Sequence, residues 1–217
     1  MPTLPVLSNL RPIGGEGFQA GRRRTVYRAD TEPVAGSAYP EGLGAVLDLR
    51  RDDEIAAVPH ALKGTAGYQN LPLFDPSSTL ESAAAAVQVQ DQYIDWLERH
   101  RETIAAVFRR LAEIDADALV CCSAGKDRTG VVSALLARLW GADLDRIGVD
   151  YARTRDALAE RFAAERRVST DLDRTLVQQR CAPEVMITVI GHVEASYGSV
   201  AGYLTSIGLT DAEIAAL

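Results

Sequence analysis

The chain has 217 residues, 47% of them hydrophobic and 24% charged, which excludes the disordered and collagen-like classes and allows one sizeable core. A formal net charge of −7 at pH 7 argues against a nucleic-acid partner, whose phosphates need a broad basic face. Three cysteines cannot all pair within one chain, so structural disulfides are not expected.

Near the start, Asn9-Leu10-Arg11-Pro12-Ile13-Gly14-Gly15 reads as a structural clasp closed by a glycine turn. The run Arg22-Arg23-Arg24 reads as a solvated hairpin turn rather than an anion site. Strands are predicted over residues 25–28, 45–49, 68–73 and 118–122. Ser78-Thr79-Leu80-Glu81 forms a capping box that opens the first helical run, whose apolar stripe includes Val87, Ile94 and Leu97. A second stretch carries Ile104, Val107, Phe108, Leu111 and Ile114, and the polar cluster at 98–102 bends or breaks the helix between the two.

Helices are predicted over 131–140, 144–162, 183–194 and 196–207, and Thr210-Asp211-Ala212-Glu213 is a second capping box before a short terminal helix. Strands early and helices late predict an α/β fold with a small, mainly parallel central sheet surrounded by helices, in one domain spanning 1–217. Open sheets of this kind place ligands at the carboxyl ends of their strands. No apolar run has the length of about 18 residues that a membrane span needs. Met1-Pro2-Thr3-Leu4-Pro5 lacks the build of a signal peptide, so a cytoplasmic protein is expected unless a dedicated export system takes it.

The segment Cys122-Ser123-Ala124-Gly125-Lys126-Asp127-Arg128-Thr129-Gly130 joins the last predicted strand to a largely apolar helix. Such a turn aims successive N–H groups and the positive end of a helix dipole at one point, where a dianion is best held. The same field, with Lys126 and Arg128 nearby, favours the thiolate of Cys122 near neutral pH. Arg128 offers a planar fork that matches two phosphate oxygens. Asp127, inside the loop, is a candidate proton donor for a leaving oxygen. Ser123, Ala124, Gly125, Lys126 and Thr129 complete the candidate phosphate cradle, with Lys126 expected to meet a second negative group on the substrate. The competing nucleotide loop, G-x4-G-K-[ST], fails because Val120 stands at its first glycine and Asp127 follows Lys126.

These residues resemble the C-x5-R signature of the Cys-dependent phosphatases. The form GKDRTG resembles, more narrowly, the bacterial tyrosine and phosphoinositide phosphatases of the mycobacterial PtpB type. Asn9 to Gly15 is similar to that family's N-x-R-D-x-G-G, Val26-Tyr27-Arg28-Ala29 to its L-Y-R-S strand, and Leu47-Asp48-Leu49-Arg50 with Glu54 to its D-L-R-x-x-x-E. Tyr197-Gly198-Ser199 with Tyr203-Leu204 is similar to its closing Y-G-S-x-x-x-Y-L. The resemblance implies a cofactor-free phosphatase that forms a phosphocysteine, with phosphotyrosine, phosphoserine or threonine, or a phosphoinositide as substrate. It also implies an acid inside the loop, hence Asp127. One departure is Cys121, where the family has a His that helps to hold the loop and polarise the thiolate.

Asp75, on the loop after a predicted strand, is the rival acid, because related phosphatases outside this family place theirs there. Asp48 is read as supporting the loop from below, or as a simple ion-pair partner of Arg50. His60, His100 and His192 have no ligand-like spacing, so no metal is implied. Residues 156–179 are read as a surface helix rather than a lid. Two other classes stay open: a phosphate-binding pseudophosphatase, and a thiol-dependent arsenate reductase using Cys121 or Cys181 as resolving thiol. A strained disulfide between Cys121 and Cys122 is a further, less favoured reading. Oligomeric state is left open.

Overall fold

The computed structural model describes residues 7–31, 39–74 and 88–217. The Ser78 to Glu81 capping box and Asp75 lie outside the described residues. Among the described residues five strands form one sheet: β1 (Arg11–Pro12), β2 (Val26–Ala29), β3 (Leu43–Asp48), β4 (Tyr68–Asn70) and β5 (Asp117–Cys121). Their order is β1-β2-β5-β3-β4, with β1 antiparallel to β2 and all other pairs parallel. β5 takes the centre because residues 118–121 are buried on both faces, as the continuous apolar run requires. Ala29 and Asp48 both pair with Cys121, so the chain leaves the sheet at Cys122, on its carboxyl edge. The strand predicted over 68–73 stops at Asn70 because Pro72 has no N–H to give to a ladder.

The helices among the described residues are α1 (Asp52–Ala57), α2 (Val89–Arg99), α3 (Arg101–Glu113), α4 (Arg128–Leu139), α5 (Leu144–Ala152), α6 (Thr154–Ala157), α7 (Ala159–Val168), α8 (Leu172–Gln178), α9 (Pro183–Tyr197), α10 (Val200–Ser206) and α11 (Asp211–Ala216). The break between α2 and α3 falls at His100, inside the anticipated polar cluster. The single helix predicted over 144–162 is instead three, and the first break, between α5 and α6, falls where the Arg11 guanidinium takes the Asp150 carbonyl at 2.7 Å and the Thr154 hydroxyl at 3.2 Å. Likewise the helix predicted from 196 begins later: Gly198 at φ 76° ends α9, and Ser199 caps α10 by accepting from Gly202 N at 2.9 Å. None of the helices among the described residues is long and apolar enough to cross a membrane.

The main core joins α2 to α5, α9 and α10 to the sheet face that carries Val120 and Cys122. α4 is buried all round over residues 128–137, which fits its unbroken apolar sequence. The opposite face, with Ala29, Val46, Leu119 and Cys121, is covered by Leu7 and by loop and strand side chains. Contrary to the expected solvated turn, Arg24 is buried and caps α3 by donating to the carbonyls of Leu111, at 2.7 Å, and Ile114. Arg23 reaches Ala112 O and Ile114 O as well, where the negative end of a helix dipole favours cations.

The N-terminal clasp is built on Asp150, whose carboxylate accepts from Arg11 Nε at 2.8 Å and Arg28 Nη1 at 3.0 Å. Burial opposes its charge, but Arg28 and Arg11 hold its carboxyl below the ordinary range. An Asp150→Ala variant leaves two buried guanidinium groups without a counter-charge and is expected to lose about 3 kcal/mol in urea unfolding. Because the folded carboxyl is lowered, its contribution is complete above the unfolded value of about 3.9 and is lost as pH falls through the folded one. Asp150→Asn is therefore expected to lose less stability than the wild type on acidification below about pH 5. Parallel acid curves would contradict this.

Candidate active site

The loop from Cys122 to Asp127 is held by its carbonyls. Ser123 O accepts from Thr31 N at 3.2 Å and from Arg161 Nη1 at 3.2 Å. Ala124 O accepts from Asn9 Nδ2 at 3.0 Å, and Gly125 O from Asn9 Nδ2 at 3.0 Å and Arg28 Nη2 at 2.8 Å. With these oxygens engaged from outside, the N–H groups are left to face inward, the arrangement that receives an anion. Gly125 has φ +63°, and a Cβ there would lie 2.4 Å from the Ala29 carbonyl. Only glycine lets the loop pass over β2 so closely.

Cys122, 1% exposed, lies in a cavity of about 630 Å³ lined also by Lys126, Asp127 and Arg128. Arg128 is presented by the first turn of α4, and both its terminal nitrogens donate to Glu54, at 2.6 and 2.7 Å. Phe74 lies beneath the guanidinium, 5.3 Å from ring centre to Cζ. Glu54 is positioned by α1, where it also accepts from Arg51 N at 2.9 Å. Burial works against both charges of the pair, yet their mutual hydrogen bonds keep Arg128 more firmly protonated and Glu54 below its ordinary range. The arginine fork is thus oriented before any ligand arrives.

Asp48 does not reach the loop. Fully buried, it accepts from Arg50 Nη2 at 2.8 Å, Arg50 Nε at 3.0 Å and Tyr68 Oη at 3.0 Å, so the ion-pair reading holds and the role of supporting Arg128 falls to Glu54. Glu54 was visible only as part of a family pattern. Lys126 is also placed differently from expectation: its ammonium, 2% exposed, turns inward to Asp127 Oδ1 at 2.7 Å and Tyr93 Oη at 3.1 Å. Asp127 keeps a third of its side-chain exposure at the cavity. Burial opposes its charge, but Lys126 and the Tyr93 hydroxyl hold the carboxyl below its ordinary range. The Thr129 hydroxyl is buried and has no hydrogen-bond partner among the described residues.

Cys121 and Cys122, consecutive along β5 and its exit, face opposite sides of the sheet. Cys121 Sγ lies 3.6 Å from Leu47 O, and burial beside Asp48 pushes its thiol well up. Cys181 is buried too, its thiol pushed up to about 11 by burial, and all three cysteines are free. Alternation along a strand thus keeps Cys121 away from its neighbour, against the vicinal disulfide. Residues 156–179 also depart from the surface-helix expectation: α7 and α8 wall the cavity, and Arg161 Nη2 donates to Ser123 Oγ at 3.0 Å. Sequence reading put Arg161 on the surface helix rather than at the site, and missed Tyr93 and Tyr151. A lone tyrosine on an amphipathic helix carries no signal that separates it from core.

The family model described as tyrosine phosphatase family matches residues 2–217. A tyrosine-protein phosphatase of Nostoc commune is 28% identical over 80% of this chain, which spans 64% of that protein's length. A putative tyrosine-protein phosphatase of Cupriavidus necator is 28% identical over 91% of this chain and 80% of its own. The triple specificity protein phosphatase PtpB of Mycobacterium tuberculosis is 30% identical over 81% of this chain and 72% of its own.

A Gly125→Ala variant is expected to lose about 2 kcal/mol or more in urea unfolding, from the positive φ and the collision with β2. Tungstate affinity is expected to fall with it. Wild-type values for both would show that the loop does not depend on this close approach.

Proposed function

The chain belongs to the tyrosine phosphatase family, and on that premise we propose that it hydrolyses phosphate monoesters through a phosphocysteine intermediate. The observation that carries the reading is the loop at Cys122, with its carbonyls turned outward and Arg128 oriented by Glu54. The Cys122 thiolate attacks phosphorus in line as the bond to the leaving oxygen breaks, and Asp127 supplies the proton to that oxygen. Arg128 and the inward N–H groups stabilise the equatorial oxygens. Asp127, now a carboxylate, then takes a proton from the water that attacks phosphorus, and the thiolate departs.

In the free protein Asp127 is held as an anion beside Lys126, which suits the second step. For the first step, a phosphate dianion arriving next to the carboxylate raises its proton affinity through like-charge repulsion. A nucleophile this deeply buried favours a substrate with a long arm, so aryl esters such as phosphotyrosine lead the proposal. The name of the mycobacterial relative, triple specificity protein phosphatase, supports a site that takes more than one class of ester, and phosphoserine or threonine and phosphoinositides are the further candidates. A thiol-redox reaction is less favoured because Cys121 and Cys181 are both buried with thiols pushed up. Unpaired cysteines also suit a reducing, cytoplasmic setting.

Cys122→Ser is expected to abolish turnover. Rapid acid quench of the wild type should trap one phosphate on Cys122 by mass spectrometry. Asp127→Asn is expected to slow an alkyl phosphate by at least about a hundredfold and an activated aryl phosphate far less. No trapped phosphate, or equal losses on both substrates, would contradict the mechanism.

A further inference from the structure

Asp127 uses its two carboxylate oxygens unequally. Oδ1 accepts from Lys126 Nζ at 2.7 Å and from the Tyr93 phenol. Oδ2 has no hydrogen bond among the described residues, and the side chain lines the cavity over Cys122. Tyr93 comes from α2, a separate element, and its oxygen lies 3.1 Å from Lys126 Nζ and 2.9 Å from Tyr151 Oη on α5. Proton bookkeeping fixes the direction of this chain. An ammonium can only donate and an ionised carboxylate can only accept, so the single Tyr93 proton goes to Asp127 while Lys126 donates to the Tyr93 oxygen, and the Tyr151 proton is shared between that oxygen and the Arg180 carbonyl at 3.2 Å. The ammonium on that oxygen polarises the phenol and strengthens its bond to the carboxylate.

We infer that Tyr93 is the positioning residue for Asp127: it pins Oδ1, so that the proton used in the reaction resides on Oδ2, and it sets the pH at which Asp127 changes state. The inference rests on the reading of Asp127 as proton donor. The other groups facing the pair are Lys126 in the loop, Arg128 on α4, Tyr151 on α5 and Cys181 before α9. Lys126 and Arg128 are held more firmly protonated by their carboxylates against the opposing effect of burial, while burial pushes Tyr151 up to about 12 and Cys181 up to about 11. Between about pH 5 and 9 each therefore keeps one form. Burial likewise raises the Tyr93 phenol well above its ordinary value, so it remains a donor throughout.

The test is the pH dependence of single-turnover cleavage of an alkyl and an activated aryl phosphate by the full chain, where loss of the Asp127 proton produces the alkaline limb. Removing a donor to the carboxylate raises its proton affinity, so Tyr93→Phe is expected to move the limb up by about one pH unit. Alkyl phosphate cleavage is expected to fall about tenfold more than aryl phosphate cleavage, because orientation is lost. Incorporating 3-fluorotyrosine at position 93 keeps the shape and strengthens the donor, so the limb should move down; it serves even if the phenylalanine variant fails to fold. A limb that Asp127→Asn removes but that stays put in the position 93 variants overturns this inference alone. A limb that survives in Asp127→Asn overturns the donor reading and the inference with it.

Discussion

Outward hydrogen bonding of the loop carbonyls is the constraint on which the rest of the site depends. A peptide group is planar, so fixing its oxygen on one side fixes its N–H on the other. Asn9 and Arg28 perform this fixing at Ala124 and Gly125. Both are held in turn: Asn9 N donates to Asp30 at 3.0 Å, and Arg28 is paired with Asp150. The N-terminal segment, remote in sequence, is thereby part of the site. Through Arg11 the same cluster interrupts the helix after α5 and turns the chain toward α7 and α8, which close the cavity.

A protein with a net charge of −7 repels anions at long range, so attraction has to be local. The buried cations around the loop are each matched by a carboxylate: Arg128 by Glu54, Lys126 by Asp127, Arg11 and Arg28 by Asp150, and Arg50 by Asp48. Buried pairs of this kind add little net stability, since desolvation offsets their attraction. Their effect is to fix orientation before a ligand binds. With the cations so matched, the inward amides and the N-terminus of α4 contribute the field that does not have to be shared.

Much of this was legible because a strand, a turn and a helix in immediate succession leave few geometries open. The positions of Cys122, Asp127 and Arg128, the parallel sheet and the clasp at Asn9 and Arg11 all follow from short-range pattern. Pairing across the fold was less legible. Asp48 and Glu54 lie six residues apart, and which of them reaches Arg128 depends on how the chain turns from β3 into α1. Lys126 was assigned to the substrate because its neighbours in sequence are loop residues, whereas Tyr93 and Tyr151 reach it from α2 and α5. The break between α5 and α6 was hidden because its cause is Arg11, about 140 residues away.

The most direct test of the central claim is calorimetric titration of tungstate into the wild type and Asn9→Ala, with thermal unfolding in parallel. Loss of the two Asn9 bonds lets the loop peptides turn, and the account predicts an affinity at least about tenfold weaker in a variant that remains folded. An unchanged affinity would mean that the amides face inward without Asn9, and would contradict the account.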